Sequence, residues 1–134
     1  ILVFNSLDQL FLQKRSLSKD ESPGLWDTSA AGHVEMGEEY RDCAERELKE
    51  ELGISNSIQK IMEIPPQANT FQEYIFVYKC ITSSKIRINK SEISEGNYYS
   101  LSRINNKMDC NPKNFTPPFR LIFKSFIKKF KYKT

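Results

Sequence analysis

Histidine occurs once in this sequence, at His33, and cysteine three times, at Cys43, Cys80 and Cys110. A single histidine leaves no ligand set for any site that needs several of them. Three cysteines are an odd number with no metal-ligand spacing. Cys43 falls in a helical run and Cys80 in a strand-like one, where buried free thiols are common, so a reducing, cytoplasmic compartment is expected. No apolar run approaches the ~20 residues that cross a bilayer. There is also no charged-then-apolar leader with a small-residue cleavage site. The chain starts at Ile1, inside a strand-like run, so residues ahead of Ile1 are expected.

What is present is ordinary for a globular protein: 134 residues, 39% apolar and 28% charged. That length implies one domain, 1–134, with a real core, and no internal repeat or low-complexity segment is visible. Net charge is only +3, but it is unevenly placed. After residue 102, Arg103, Lys107, Lys113, Arg120, Lys124, Lys128, Lys129, Lys131 and Lys133 face one acid, Asp109. An anionic partner such as RNA would suit that end. A helix whose lysines favour its own C-terminus accounts for it more simply, since no aromatic and basic interleaving of a nucleic-acid motif is present.

Taken in order, 1–5 and 10–14 read as a hairpin around Ser6-Leu7-Asp8-Gln9. Residues 15–24 read as a loop and 26–31 as a short strand. A helix is expected over 39–52, stopped by Gly53 as its left-handed C-terminal residue. Strands follow at 58–64, 71–81 and 97–101, with a short alternating piece at 86–88. A helical turn is expected over 101–107. Apolar residues at 119, 122, 123, 126, 127 and 130 then make a helical stripe, the natural second layer on a sheet.

The helix over 39–52 carries the chemistry. On an α-helix Glu47, Glu50 and Glu51 lie within an arc of about 100°, beside the apolar stripe of Ala44, Leu48 and Leu52. Like charges this close repel, and partial burial worsens it. A divalent cation reverses that sign, and carboxylate oxygens suit Mg²⁺, Mn²⁺ or Ca²⁺. An acidic run alone is usually a solvated helix face. The spacing G-x5-E-x7-R-E-U-x-E-E-x-G-U, with U aliphatic, is met at Gly32, Glu38, Arg46, Glu47, Leu48, Glu50, Glu51, Gly53 and Ile54. At about 7% abundance for each fixed type, a chance match is on the order of 10⁻⁸ per start site.

This spacing resembles the signature box of the Nudix hydrolases. The resemblance implies an α/β fold, an α/β/α sandwich with a mixed sheet, and cleavage of a diphosphate linked to another moiety with Mg²⁺ or Mn²⁺. By it Glu47, Glu50 and Glu51 are metal ligands, and Glu47 and Arg46 belong to the catalytic machinery. Gly32, Glu38 and Gly53 are the structural positions of the box, with Glu38 and Arg46 pairing across the loop–helix junction. Glu92, a few residues ahead of a strand, matches an acid that relatives hold over the metal and is the candidate general base, with Glu95 competing.

The segment ahead of the box, RSLSKDESPGLWDTSAAGH, resembles the branch that holds the type I isopentenyl-diphosphate isomerases. By that likeness Arg15 and Lys19 take the substrate diphosphate, and His33 matches a metal ligand there, though a substrate or structural contact suits it better. Two departures speak against isomerisation: Ala31 stands where the isomerases have a catalytic cysteine, and their further metal-binding histidines are missing. The expected partner is a small diphosphate, nucleoside-linked or isoprenoid, with nucleic acid a lesser alternative and no membrane. The alternatives are an isopentenyl-diphosphate-type isomerase or diphosphatase, an RNA pyrophosphohydrolase, and a nucleotide sensor without turnover.

Overall fold

The structure is a computed structural model that describes residues 1–130. Lys131 and Lys133 of the basic end lie outside them. Six strands form one mixed sheet: β1 (Leu2–Phe4), β2 (Leu10–Arg15), β3 (Trp26–Asp27), β4 (Ile58–Ile64), β5 (Ile75–Ile81) and β6 (Ile93–Tyr99). β1 runs parallel to β5 and antiparallel to β2, and β4 pairs antiparallel with β5. β2 also pairs antiparallel with β3 and with β6.

The period-2 alternation of strands sorts the side chains to two faces. Leu2, Phe4, Leu10, Leu12 and Val77 point one way, while Val3, Phe11, Tyr78 and Cys80 point the other. β4 changes allegiance midway: Ile58 belongs to the second face, Met62 and Ile64 to the first. A register shift between Lys60 and Met62 inserts the extra residue that turns the phase over.

The first face is covered by α2 (Leu101–Cys110) and α3 (Pro117–Phe130). Ser100 caps α2 by accepting from the Arg103 N–H, and Thr116 caps α3 by accepting from the Phe119 N–H. Pro117 and Pro118 open α3, where a missing N–H costs nothing. Phe119, Ile122, Phe123 and Phe126 of α3 are buried against Phe4 and its neighbours. At about 1.5–3 kcal/mol for each large side chain fully buried, this packing explains the C-terminal stripe as a core layer.

The second face is covered by α1 (Tyr40–Glu47), which runs on into a π-helical turn, Leu48–Leu52. Ala44, Leu48 and Leu52 pack on Val3, Phe11 and Cys80. Gly53 ends the element at φ 67°, the left-handed conformation expected of it. The two helical layers around a mixed sheet are the sandwich the sequence implied.

Several boundaries differ from the sequence reading. Strand 26–31 shrinks to two residues, because Ser29 turns its hydroxyl onto the Val3 N–H and Phe11 carbonyl. Residues 86–88 form no strand: the Arg87 N–H bonds Leu52 O and the Asn89 N–H bonds Glu51 O, satisfying the open carbonyls at the end of the π turn. The strand expected from 71 starts at Ile75, since Phe71 and Gln72 are left-handed at φ 55° and 64°. The one expected over 97–101 begins earlier, at Ile93, and α2 is a full helix instead of a turn.

Candidate active site

The box helix brings two carboxylates to the floor of a cavity of about 430 Å³. Glu51 is 5% exposed, and its carboxylate accepts from Gln13 Nε2 at 3.1 Å and the Ala31 N–H at 2.9 Å. Gln13, itself buried in β2, also donates to Ser29 O at 3.0 Å. Burial pushes the Glu51 carboxyl up to about 8, against these hydrogen bonds and with Glu47 and Glu92 adding repulsion. Glu47 lies within hydrogen-bonding reach of Glu51, and burial raises its pKa too, with Arg46 opposing.

Gly32 shows why this pair needs glycine across from it. A Cβ at position 32 would sit 2.2 Å from the Glu47 carboxyl carbon, so the loop can approach Glu47 only without a side chain.

Arg46 organises the charges outside the cavity. It grips Glu38 with two bonds, 2.8 Å from Nε and 3.0 Å from Nη2, and reaches Glu47 at 2.8 Å and Glu50 at 3.3 Å from Nη1. Its Nη2 also donates to His33 O at 3.3 Å. That fork holds the Glu38 carboxyl down at about 2 and pins the loop to the helix, as the sequence implied for the pair.

Arg15, Lys19 and Glu92 line the same cavity. Lys19 Nζ lies 3.5 Å from Glu92 Oε1, and Arg15 Nη1 lies 3.5 Å from Asp27 Oδ2. His33 lines the mouth, its Nε2 2.9 Å from Glu73 Oε1. Of the residues expected from the sequence, Arg15, Lys19, His33, Glu47, Glu51 and Glu92 therefore share one cavity. Glu50 does not line it: its side chain is 54% exposed and turned to Arg46. The turn that carries it is wound i→i+5, so the ideal α-helical spacing of Glu47, Glu50 and Glu51 does not hold. Glu95 is also outside, opposite Lys14 in the β6–β2 pair.

Gln13 was not singled out by sequence reading. Strand parity held the signal, because Gln13 shares a face with Phe11, the face on which the box helix packs.

Among the described residues, no three His, Cys, Asp or Glu side chains lie close enough to hold a metal ion by themselves. Mg²⁺ commonly uses one or two carboxylates, with waters and substrate phosphates completing the set. A mutually repelling pair such as buried Glu51 and half-buried Glu47 fits that role.

Comparison with known proteins gives one family. The NUDIX domain model matches residues 1–119. The chain is 37% identical over 103 residues to an uncharacterized Nudix hydrolase of Pseudomonas aeruginosa, covering 73% of this chain and 59% of that protein. It is 32% identical over 128 residues to an isopentenyl-diphosphate Delta-isomerase of Pectobacterium atrosepticum, covering 92% of this chain and 72% of that one. In fold it is similar to the MutT protein of Methanosarcina mazei, with a TM-score of 0.78 at 21% identity over 98% of this chain and 91% of that one.

Proposed function

The chain belongs to the Nudix family, and from that membership we propose that it is a hydrolase of a small diphosphate, assisted by Mg²⁺ or Mn²⁺. The observation that carries this reading is the gathering of carboxylates and cationic side chains in the lining of one cavity. Glu47 and Glu51 line it together with Arg15, Lys19 and Glu92.

Glu47 and Glu51 would hold the cation, with Glu50 joining only if it leaves Arg46. Bound there, the cation would supply charge neutralisation for the diphosphate and a lowered pKa for water. Everything else falls to the chain's own groups. Gln13 and the Ala31 N–H orient the Glu51 carboxylate, and Gly32 lets the loop close on Glu47. Arg46 positions Glu47 from outside the cavity and touches no substrate.

Arg15 and Lys19 take the charge that grows on the departing phosphate, as charge-assisted donors do best. When Lys19 turns to a phosphate it releases Glu92, which then accepts the proton of the attacking water. The water oxygen bonds to phosphorus as the bridging P–O bond breaks. The products are two fragments, each carrying a phosphate end.

The Pectobacterium relative's name offers a second reading, isomerisation of isopentenyl diphosphate. Ala31 and the single histidine argue against it. The test is a panel of nucleoside and isoprenoid diphosphates with Mg²⁺ or Mn²⁺, reading released phosphate and pyrophosphate. Release from at least one compound is expected, and isopentenyl diphosphate should give no dimethylallyl diphosphate. Isomer at catalytic rate, or no release from any compound, would overturn the proposal. An RNA substrate is the weaker alternative; its binding would fall steeply with salt.

A further inference from the structure

Thr116, the capping residue of α3, lines the cavity together with Asp27 and Arg15, although α3 covers the other face of the sheet. Asp27 lies opposite Gln13 in the β2–β3 pair. Cross-strand partners share a face, so its carboxylate is on the side where Gln13 meets Glu51. Trp26, next to it, packs against the other core.

The two oxygens of the Asp27 carboxylate have separate partners. Oδ1 accepts from the Thr28 N–H at 2.7 Å and from the Thr116 hydroxyl at 3.0 Å. Oδ2 lies 3.5 Å from Arg15 Nη1. Tying β3 to the chain ahead of α3 needs only Oδ1, which an asparagine side chain would supply equally well. A neutral side chain would also make that tie without placing a negative charge beside a diphosphate site. The second oxygen and its charge therefore call for another reason, and their partner is Arg15.

Arg15 is prepared from its own side. A register shift between Lys14 and Arg15 in the β2–β6 pair re-aims the side chain at the strand end, as bulges do. Its Nε donates to Glu21 O at 3.0 Å. Glu21 O and Asp27 thus occupy two of the five N–H groups of the guanidinium, and the others suit a phosphate. A long side chain held at two points in advance has less freedom to lose on binding.

Thr116 completes the chain of contacts. Its hydroxyl donates to Asp27 while accepting from the Phe119 N–H. Its own N–H bonds Trp26 O at 3.0 Å, and Phe115 bridges Trp26 in parallel. Buried Phe119, Ile122, Phe123 and Phe126 anchor the helix that follows.

Resting on the hydrolase reading for the role of Arg15 toward phosphate, we propose that Asp27 is a positioning residue for Arg15, and that the Thr116 hydroxyl fixes Asp27. The relay Thr116–Asp27–Arg15 ties α3 to the phosphate-binding group from the far side of the sheet. In this role neither Asp27 nor Thr116 contacts the substrate.

The test is a double-mutant cycle read by binding, so it does not depend on turnover. Calorimetry with Mg²⁺ and methylenediphosphonate compares wild type, Asp27→Asn, Arg15→Gln and the double variant. Asp27→Asn keeps the Oδ1 acceptor and sets an amide against Arg15, so its melting temperature should stay close to that of wild type. Loss of a nearby negative charge acts on the ligand alike in both backgrounds, whereas loss of positioning acts only where Arg15 is present. Asp27→Asn should therefore weaken binding about fivefold or more in the Arg15 protein relative to its effect in Arg15→Gln. Thr116→Val should show the same dependence on Arg15, and Thr116→Ser, which keeps the hydroxyl, should restore most of the loss. Equal factors in the two backgrounds for either Asp27→Asn or Thr116→Val would overturn the proposal, as would a wild type that does not bind methylenediphosphonate. Coupled binding without turnover of any diphosphate would keep the relay and remove the hydrolase. Turnover with uncoupled binding would do the reverse.

Discussion

Replacing Glu51 by Gln in metal-free protein should change the sign of its effect on stability as pH rises. Burial holds this carboxyl up to about 8 in the folded chain, against an ordinary 4.5. The folded state therefore binds more protons than the unfolded state between those values. Stability is fully present below pH 4.5 and is lost as pH rises through about 8. At 1.36 kcal/mol per pH unit the loss is about 3 kcal/mol by pH 7 and nears about 5 kcal/mol above pH 8. Glutamine cannot ionise, so it escapes this loss. It offers one acceptor oxygen, however, where the carboxyl group, even protonated, can accept at both oxygens, from Gln13 Nε2 and from the Ala31 N–H. Leaving one buried donor opposed to an amide NH₂ costs about 1–3 kcal/mol. Glu51→Gln should thus be less stable than wild type at pH 5 and more stable at pH 8.5, by about 2–4 kcal/mol at that pH. Urea unfolding in EDTA from pH 5 to pH 8.5 reads this directly. Parallel stability curves for the two proteins would refute the argument that Glu51 is held buried without enough compensating charge.

Three further outcomes follow from the same geometry. Gly32→Ala drives a Cβ into the Glu47 carboxyl; turnover should fall at least about tenfold with the fold kept, and fall no further in a Glu47→Gln background. An unchanged rate would mean the close approach is incidental. Arg46→Gln should lower the melting temperature, more at pH 7 than at pH 2. Glu38 is held down at about 2 by Arg46, so its stabilisation is present above pH 4.5 and lost as pH falls through about 2; an equal gap at both pH values would sink this. Mg²⁺ or Mn²⁺ should raise the wild-type melting temperature by mass action. The Glu47→Gln, Glu51→Gln double variant should lose that rise and Glu50→Gln should keep most of it, whereas a full rise in the double variant would move the metal elsewhere.

Much of this was legible in the residues, for identifiable reasons. Spacing alone defined the box, because Gly32, Arg46 and Gly53 answer to a steric approach, a fork of charges and a left-handed turn. The stripe of α3 was legible because helical period and burial coincide there. The π-helical turn was not legible: Leu48 and Leu52 satisfy α-helical periodicity as well, so only the structure separates Glu50 from Glu47 and Glu51. The phase change of β4 depends on one extra residue that leaves no mark in IQKIMEI. The run from Phe71 reads as strand on side-chain type, yet a mutually capped turn at Gln67 and Thr70 overrides propensity for Phe71 and Gln72. Gln13 was hidden for the opposite reason. A polar residue in a strand suggests a solvent face, and its buried role depends on Glu51, a partner distant in sequence.

The most direct measurement of the central claim is the turnover of Glu47→Gln with Mg²⁺ on the best diphosphate of the panel, alongside its metal-free stability. The change keeps volume and helix propensity nearly constant and removes one charge from a repelling pair of which Glu51 is buried. The rate should fall by 10² or more, about 2.7 kcal/mol of transition-state stabilisation, while metal-free stability holds or rises. A variant that loses metal-free stability yet turns over at near wild-type rate would make the acidic pair structural and contradict the account.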